Sequence, residues 1–173
     1  MELKVAAGHD LAELKKLYTA AFPKQERKPF WFIKYKASRG SMEILEIYDD
    51  GFAGLAIMAV YRDLALLTFF ATLPEKRNGG LGSKALQMLL KRYEDKRFYL
   101  EIELPTGDED DDIKLRRKGF YMRNGLAEAG INVDLFGIPM EVMSYNCSIS
   151  DSEYHELYDA VIGRRLSKHI KSI

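Results

Sequence analysis

The stretch PEKRNGGLGSKALQMLLKRY, residues 74–93, decides how the sequence is interpreted. Gly79, Gly80 and Gly82 fall close together, and the chain then enters a segment with apolar residues at helical spacing. A glycine-rich loop that opens a helix directs backbone N–H groups and the positive end of the helix towards an anion. The stretch therefore predicts a phosphate-binding loop in which Gly80 and Gly82 leave room for the ligand. A tight loop without any ligand is the alternative.

The composition predicts one folded domain without a strong charge bias. The 173 residues are 47% hydrophobic, which is enough for a sizeable core. Lys plus Arg and Asp plus Glu both number 26, so no overall field favours nucleic acid or an anionic membrane. A single cysteine, scattered histidines, and the lack of a signal peptide or spanning segment predict a soluble cytoplasmic protein without a metal site.

The order of the predicted elements indicates an α+β domain. Two helices follow a short first strand, and Asp10 is the predicted N-cap of the first helix. Three consecutive strands then form an antiparallel meander before the glycines. A helix, a strand, another helix and a final hairpin come after the glycines, followed by a helix with a capping box at its start. The predicted strands are 1–8, 42–48, 52–62, 64–73, 97–105, 126–135 and 138–145, and the predicted helices are 10–22, 29–38, 81–93, 113–124 and 150–166.

Three classes of phosphate ligand compete for the glycine-rich loop. The Walker pattern requires lysine directly after the last glycine, where this chain has Ser83. The dinucleotide fingerprint fits literally from Gly80 to Ala85, and Glu103 follows at about the expected distance. However, residues 74–79 separate the strand from the first required glycine, and the repeated βαβ units of a dinucleotide fold are missing. A dinucleotide therefore ranks below the third class, an acyl-coenzyme A.

The sequence PEKRNGGLGS, preceded by FFATL, resembles the central motif of the GCN5-related N-acetyltransferase (GNAT) family. That motif is Arg or Gln, two residues, Gly, one residue, and Gly or Ala, and Arg77, Gly80 and Gly82 occupy its positions. The sequence GFYMRNGL, residues 119–126, resembles the end of the family's helix after strand five. The resemblance implies an acyl-CoA N-acyltransferase fold, in which helices flank a mixed, mostly antiparallel sheet of about seven strands.

The resemblance also implies a division of the chain. Residues 1–146 would form the acetyltransferase domain, and residues 147–173 would form a C-terminal helical extension. The apolar stripe of that extension must be covered by the domain or by a second subunit, and we favour a homodimer.

The resemblance implies that acetyl-CoA donates an acetyl group directly to a primary amine of an unidentified small molecule or peptide. Tyr121 would protonate the leaving thiolate, although a packing role at the helix end is the alternative. Glu101 would be the base, directly or through a water, with Glu103 as second choice; a carboxylate paired with a basic residue is the alternative. The expected acetyl-CoA contacts are Phe70, Ala71, Thr72, Arg77, Asn78, Gly79, Gly80, Leu81, Gly82 and Ser83.

The sequence leaves open a competing function and the role of three aromatic residues. A non-catalytic acyl-CoA-binding or regulatory domain would keep the loop without a working base, and this is the competing hypothesis. Phe30, Trp31 and Tyr35 lie where the resemblance places part of the acceptor site, but core packing explains aromatic residues there equally well.

Overall fold

The computed structural model describes residues 1–6 and 10–173 and has an α+β fold. Its eight strands belong to one mixed sheet flanked by helices, which confirms the predicted fold class with one strand more than expected. The strands are β1 Glu2–Val5, β2 Met42–Tyr48, β3 Phe52–Tyr61, β4 Leu64–Thr72, β5 Arg97–Glu103, β6 Leu126–Leu135, β7 Ile138–Tyr145 and β8 Ile170–Ser172. The helices are α1 Asp10–Ala21, α2 Phe30–Ser38, α3 Leu81–Arg92, α4 Asp111–Arg123, α5 Asp151–Ile162 and α6 Arg164–Ser167.

Two sequence predictions concern residues 7–9 or the side chain of Asp10, which the structure does not describe. These are the extension of the first strand to residue 8 and the capping of α1 by the Asp10 side chain. Among the described residues, no helix is long and apolar enough to cross a bilayer. The contacts group the chain into two compact units: an N-terminal unit of Met1–Val60 with Leu67–Arg92, and a C-terminal unit of Tyr61–Leu66 with Tyr93–Ile173.

The N-terminal unit is built on the predicted antiparallel meander. β1 pairs with β2, and β2 pairs with β3 from Met42 opposite Ala59 onwards. The turn between β2 and β3 uses Asp50 and Gly51 at positive φ, as the Asp-Asp-Gly sequence predicts. Residues 44–47 of β2 and the continuous run 53–59 of β3 are buried, so these two strands contribute much of the core.

Helix α2 carries the most exposed aromatic residues of this unit. Phe30 packs with its ring 5.7 Å from that of Tyr18, in a cluster that also contains Phe22 and Phe69. Trp31, by contrast, is 71% exposed, and Tyr35, one turn later, is 50% exposed. Core packing therefore accounts for Phe30 but not for Trp31 and Tyr35.

The C-terminal unit is a second antiparallel arrangement. β5 pairs with β7, β7 pairs with β6, and β6 pairs with β8. The predicted hairpin turn contains Phe136 and Gly137, both at positive φ. The sequence does not predict β8, and it predicts one helix that continues through Leu166. Gly163 has φ 89° and ends α5 at Ile162, so Leu166 lies in the short helix α6 and is 48% exposed.

Helix α5 begins at the predicted capping box. The Ser150 side chain accepts a hydrogen bond from the Glu153 N–H, and the Glu153 carboxylate accepts one from the Ser150 N–H. The apolar stripe of α5 is buried within the single chain: it comprises Tyr154, Leu157, Tyr158 and Val161. The stripe therefore does not by itself require a second subunit, and the homodimer and the boundary at residue 147 stay predictions.

Candidate active site

The predicted phosphate-binding loop joins β4 to α3 in the N-terminal unit. A single 3-10 turn, Pro74–Lys76, follows β4, and Asn78 and Gly80 then both adopt positive φ, at 64° and 76°. Glycine tolerates this left-handed backbone without strain, and asparagine tolerates it better than most residues. The two turns direct the chain into α3, where the Gly80 carbonyl accepts a hydrogen bond from the Lys84 N–H.

The start of α3 is fixed by packing. Leu81 and Ala85 are buried against Ile47 of β2 and Ala53 of β3, and Leu3 and Phe70 pack against the same cluster. The N-terminal peptide groups of α3 are therefore held on a rigid support. Such groups carry the partial positive charge of the helix end and bind phosphate oxygens.

The surface in front of α3 is open. Asn78, Gly79 and Gly80 are exposed, and a Cβ placed on Gly79 or Gly80 would meet no atom of the chain within 4 Å. A side chain at either position would thus occupy only the space from which a ligand approaches. The loop thus combines exposed backbone, two left-handed residues and a fixed helix start, which are the features of an anion-binding loop.

Arg77 lies directly before this open surface. Its backbone is extended, and its exposed guanidinium donates a long hydrogen bond, 3.4 Å, to the carbonyl of Thr72. Thr72 is the last residue of β4 and one of the three strand residues expected to contact the pantetheine arm. The guanidinium therefore contacts one of the predicted arm-binding residues.

Gly54 is a residue that our interpretation of the sequence missed. A Cβ at position 54 would lie 2.5 Å from the Ala71 carbonyl oxygen and 3.1 Å from the Thr72 Cα. The backbone of β3 thus approaches β4 at the predicted pantetheine contacts as closely as only glycine permits. An isolated glycine inside an apolar strand pattern is the signal that could have identified this approach.

The predicted base, Glu101, lies in the middle of β5 in the C-terminal unit. Its Oε1 accepts hydrogen bonds from the hydroxyls of Tyr154, at 2.5 Å, and Tyr158, at 2.7 Å. The Tyr158 hydroxyl is also 2.9 Å from Oε2. These contacts differ from the alternative considered for the sequence, in which a lysine or arginine pairs with this carboxylate. The partners are phenols from α5, which sequence reasoning had placed only in an apolar stripe.

The second choice for the base, Glu103, has a different environment. Its Oε1 accepts a hydrogen bond from Arg117 of α4 at 2.8 Å, in an ion pair whose arginine side chain is 44% exposed. The alternative to a base role, a strand carboxylate paired with a basic residue, therefore describes the geometry of Glu103. This pairing favours Glu101 over Glu103 as the group to which a base role is assigned.

The predicted acid, Tyr121, lies in the last turn of α4 and is 8% exposed. Burial raises the pKa of its phenol to about 12, and the nearby charge of Arg117 offsets only part of this effect. Its ring packs edge-on against Phe120 at 5.1 Å. Within the described residues, no group accepts a hydrogen bond from the Tyr121 hydroxyl. The phenol is therefore protonated at neutral pH.

The acidic run DEDDD, residues 108–112, organises the loop between β5 and α4. The Asp111 carboxylate accepts hydrogen bonds from the N–H groups of Thr106 and Gly107, and Asp108 pairs with the buried Lys114 at 2.6 Å. Hydrogen bonds from Lys114 and Thr106 lower the pKa of Asp108 to about 2. This run therefore holds its own loop and does not form a separate site. Within the described part of the chain, no group of three metal-ligating side chains could hold a metal ion.

The site residues thus fall into two sets. Residues 70–72 and 77–83 form the loop and strand end of the N-terminal unit, whereas Glu101 and Tyr121 belong to the C-terminal unit. The structure brings Glu101 together with Tyr154 and Tyr158, a contact that the local sequence pattern does not indicate.

Known proteins resemble this chain in sequence and in fold. The sequence profile of the Acetyltransferase (GNAT) family matches residues 11–125. No curated protein matches the chain. A protein assigned to the GNAT acetyltransferases of Bacteroides thetaiotaomicron has a similar structure, with a TM-score of 0.77 and 23% identity over 94% of this chain and 99% of that one.

Two enzymes of named activity also share the fold. The ribosomal-protein-S18-alanine N-acetyltransferase from Escherichia coli has a TM-score of 0.60 and 21% identity, covering 86% of this chain and 95% of its own. The spermidine N-acetyltransferase from Vibrio cholerae, in complex with CoA and spermine, has a TM-score of 0.65 and 14% identity, covering 88% and 96%. Identities this low establish the fold alone, and the family follows from the profile match: the chain belongs to the GNAT family and is an acetyl-CoA-dependent N-acetyltransferase.

Proposed function

We propose that this enzyme transfers the acetyl group of acetyl-CoA directly to a primary amine of a small molecule or peptide, with Glu101 as base and Tyr121 as acid. The observation that carries the proposal is the environment of Glu101. A carboxylate on an inner strand is unusual, and here two buried phenols donate hydrogen bonds to it. Two donors from one helix hold this carboxylate in a fixed orientation, as a base requires.

The binding part of the proposal rests on the loop before α3. Acetyl-CoA supplies the acetyl group as a thioester, and the backbone N–H groups of residues 78–83 would hold its pyrophosphate. The strand end, Phe70, Ala71 and Thr72, would contact the pantetheine arm through backbone groups. Arg77 would add positive charge near the phosphates, from the position it already occupies beside the Thr72 carbonyl.

The base is needed because an amine is protonated at neutral pH. Glu101 would accept a proton from the acceptor ammonium, directly or through a water, and leave a nucleophilic amine. In the competing hypothesis, a non-catalytic acyl-CoA-binding domain, Glu101 does not accept a proton.

The acid role follows from the protonated state of Tyr121. With a pKa of about 12, its hydroxyl is a poor source of a free proton but a stable hydrogen-bond donor. It would donate to the coenzyme A sulfur as negative charge develops there, which stabilises the leaving group.

The acceptor class is proposed from the chemistry of neighbours with the same fold. These neighbours include N-acetyltransferases of spermidine, of the alanine of ribosomal protein S18 and of the 6' position of an aminoglycoside. All of these acetylations form an amide on nitrogen. The proposal for this chain therefore covers both small polyamines and peptide amines, and a cytoplasmic location is consistent with its single cysteine, Cys147.

A thiol-release assay tests the proposed roles. The purified protein is given acetyl-CoA with spermidine, kanamycin or an alanine-terminated peptide, and free coenzyme A thiol is measured. Tyr121→Phe should lower kcat about 100-fold, the lower end of general acid catalysis, without weakening the binding of coenzyme A. Tyr145→Phe, a hydroxyl deletion on β7 outside the proposed site, is the matched control and should retain wild-type turnover.

Ligand-induced stabilisation separates the competing functions. At about 100 times its dissociation constant, acetyl-CoA should stabilise the fold by roughly 2.7 kcal/mol, which raises Tm by about 5–11 °C for a chain of this size. Stabilisation by acetyl-CoA without thiol release from any amine would support the non-catalytic domain. Stabilisation by NAD and not by acetyl-CoA would overturn the assignment of the loop.

A further inference from the structure

We propose that Tyr154 and Tyr158 of α5 are positioning residues that orient the Glu101 carboxylate for proton transfer, so that the C-terminal extension is a working part of the active site. The inference rests on the proposed function, in which Glu101 is the base. It goes beyond the family match, because the matched residues 11–125 end well before α5.

The geometry gives Glu101 two donors from one helix. Tyr154 and Tyr158 are one helical turn apart, so their side chains lie on the same face of α5. The Tyr154 hydroxyl donates to Oε1 at 2.5 Å, and the Tyr158 hydroxyl lies within hydrogen-bonding distance of both Oε1 and Oε2. Contacts to both oxygens fix the plane of the carboxylate and not only its position. Such a constraint is what a base needs in order to present one oxygen to a substrate.

The tyrosine pair, Tyr154 and Tyr158, can act only as donors at working pH. Tyr154 is 0% exposed and Tyr158 is 2% exposed. Burial, followed by the charge of Glu101, raises the pKa of both phenols far above the ordinary value. Neither hydroxyl therefore ionises, and both keep a proton directed at the carboxylate. These hydrogen bonds to a charged acceptor are stronger than those between neutral groups.

Helix α5 is itself held against β5 at its start. Arg97, the first residue of β5, donates to the Glu153 carboxylate at 2.7 Å and to the Ser148 carbonyl at 3.2 Å. The same guanidinium donates to Asp63 at 2.8 Å. Because Glu153 is in the first turn of α5, this connection fixes the helix one residue before the tyrosine pair begins.

The segment beyond α5 is held as well. β8 pairs with β6 from Ile170 opposite Leu135, and the Ser172 hydroxyl donates to the Asp151 carboxylate at 2.6 Å. Contacts from both sides thus restrain α5. The position of the two hydroxyls is set by the fold and not by the substrate.

A third tyrosine provides an internal comparison. Tyr99, two residues before Glu101 on β5, is 0% exposed, and its ring lies 6.4 Å from that of Tyr154. Within the described residues its buried hydroxyl has no hydrogen-bond partner. Tyr99 therefore shares the burial and the ring contacts of the tyrosine pair but not the bond to Glu101. Other ionisable groups near this cluster include Arg97, Glu153 and Cys147, whose charges act on Tyr99, and His155, whose ring lies 5.6 Å from that of Tyr154.

The experiment compares hydroxyl deletions that keep every ring in place. Tyr154→Phe, Tyr158→Phe and the double variant are measured beside Glu101→Gln, with Tyr99→Phe as the matched control. The readouts are kcat and KM for the best amine of the thiol-release panel across pH 5–9. The pH titration of the ¹³C-labelled Glu101 carboxyl is followed by NMR, which requires no substrate. Circular dichroism confirms that each variant is folded.

We expect each single tyrosine variant to lower kcat about tenfold, with KM for acetyl-CoA unchanged, because a charged hydrogen bond is lost. Loss of a donor makes the carboxylate easier to protonate, so the acidic limb of the rate profile and the NMR midpoint should both move to higher pH. Tyr99→Phe should move neither. A role in packing alone would change stability without changing the NMR midpoint.

The outcomes separate this inference from the proposed function. If Glu101→Gln retains full turnover, the base assignment is wrong and the inference fails with it. If Glu101→Gln abolishes turnover while both tyrosine variants keep the wild-type rate, rate profile and NMR midpoint, then only the inference is wrong. If no amine of the panel releases thiol, the NMR titration alone decides. A midpoint in the double variant equal to that of the wild type then overturns the inference about Tyr154 and Tyr158.

Discussion

Replacing Gly54 by alanine should force β3 away from β4 at the strand end that is proposed to contact acetyl-CoA. The added methyl group would lie 2.5 Å from the Ala71 carbonyl oxygen, far inside van der Waals contact. It would also lie 3.1 Å from the Thr72 Cα and 3.1 Å from the Ile47 Cδ1. Ile47 can adjust a side chain, but Ala71 and Thr72 present backbone, so relief of the contact requires movement of β4.

The size of the effect follows from two opposing contributions. Overpacking of this kind costs about 1–3 kcal/mol, whereas alanine lowers the entropy of the unfolded chain and returns about 0.4–1 kcal/mol. The net loss is about 1–2 kcal/mol. For a chain of this length it corresponds to a fall in Tm of roughly 2–8 °C.

Urea denaturation followed by circular dichroism measures this loss, and thermal shift with acetyl-CoA measures the effect on binding. Gly119→Ala is the matched control, because Gly119 lies inside α4 and its Cβ would meet only the flexible Arg123 guanidinium, at 3.1 Å. The control should gain about 0.5–1 kcal/mol from helix propensity. Wild-type stability together with wild-type acetyl-CoA binding in Gly54→Ala would refute the idea that a close approach of these strands shapes the site.

Two further predictions concern the C-terminal unit. Hydrogen bonds from Arg97 and Ser150 lower the pKa of Glu153 from 4.5 to about 2, so its contribution to stability is complete above pH 4.5 and is lost as the pH falls towards 2. Glu153→Gln should therefore lower the urea midpoint at pH 7, and the difference from the wild type should disappear near pH 2; a difference that persists there contradicts this assignment. Tyr99→Phe removes a buried hydroxyl without a described partner and should raise stability by up to about 1 kcal/mol in the same urea assay. A clear loss of stability would show that the hydroxyl has a partner in solution.

Local patterns in the sequence predicted most of the fold. The bounds of β2, β6 and β7 agree with the predicted strands 42–48, 126–135 and 138–145 to the residue. These strands are limited by turns whose residues adopt positive φ, such as Gly51 and Gly137, and such turn residues can be recognised in a sequence.

The end of the chain was predicted less well, for a physical reason. Apolar spacing continues to Leu166 and favours one long helix, but Gly163 in a left-handed conformation ends it four residues earlier. β8 has only three residues, and its hydrogen bonds go to β6. A strand this short exists because of its partner, so its own residues carry almost no signal.

The site shows the same division between local and distant information. The phosphate-binding loop is continuous in sequence, and its positive φ values at Asn78 and Gly80 follow from local residue types. The donors to Glu101, in contrast, are 53 and 57 residues away along the chain. Tyrosines at helical spacing are typical of a buried helix face, and only the fold shows that their hydroxyls meet a carboxylate.

The exposure of Trp31 has a consequence for optical measurements. It is the only tryptophan of the chain, and in the folded protein 71% of it already contacts solvent. Its emission spectrum in the native state should therefore lie close to that of the denatured chain, and intrinsic fluorescence will follow unfolding poorly. The same property makes Trp31 a clean spectroscopic reporter of α2: quenching or a blue shift in the folded enzyme would record a molecule that covers this helix, without interference from a tryptophan in the core.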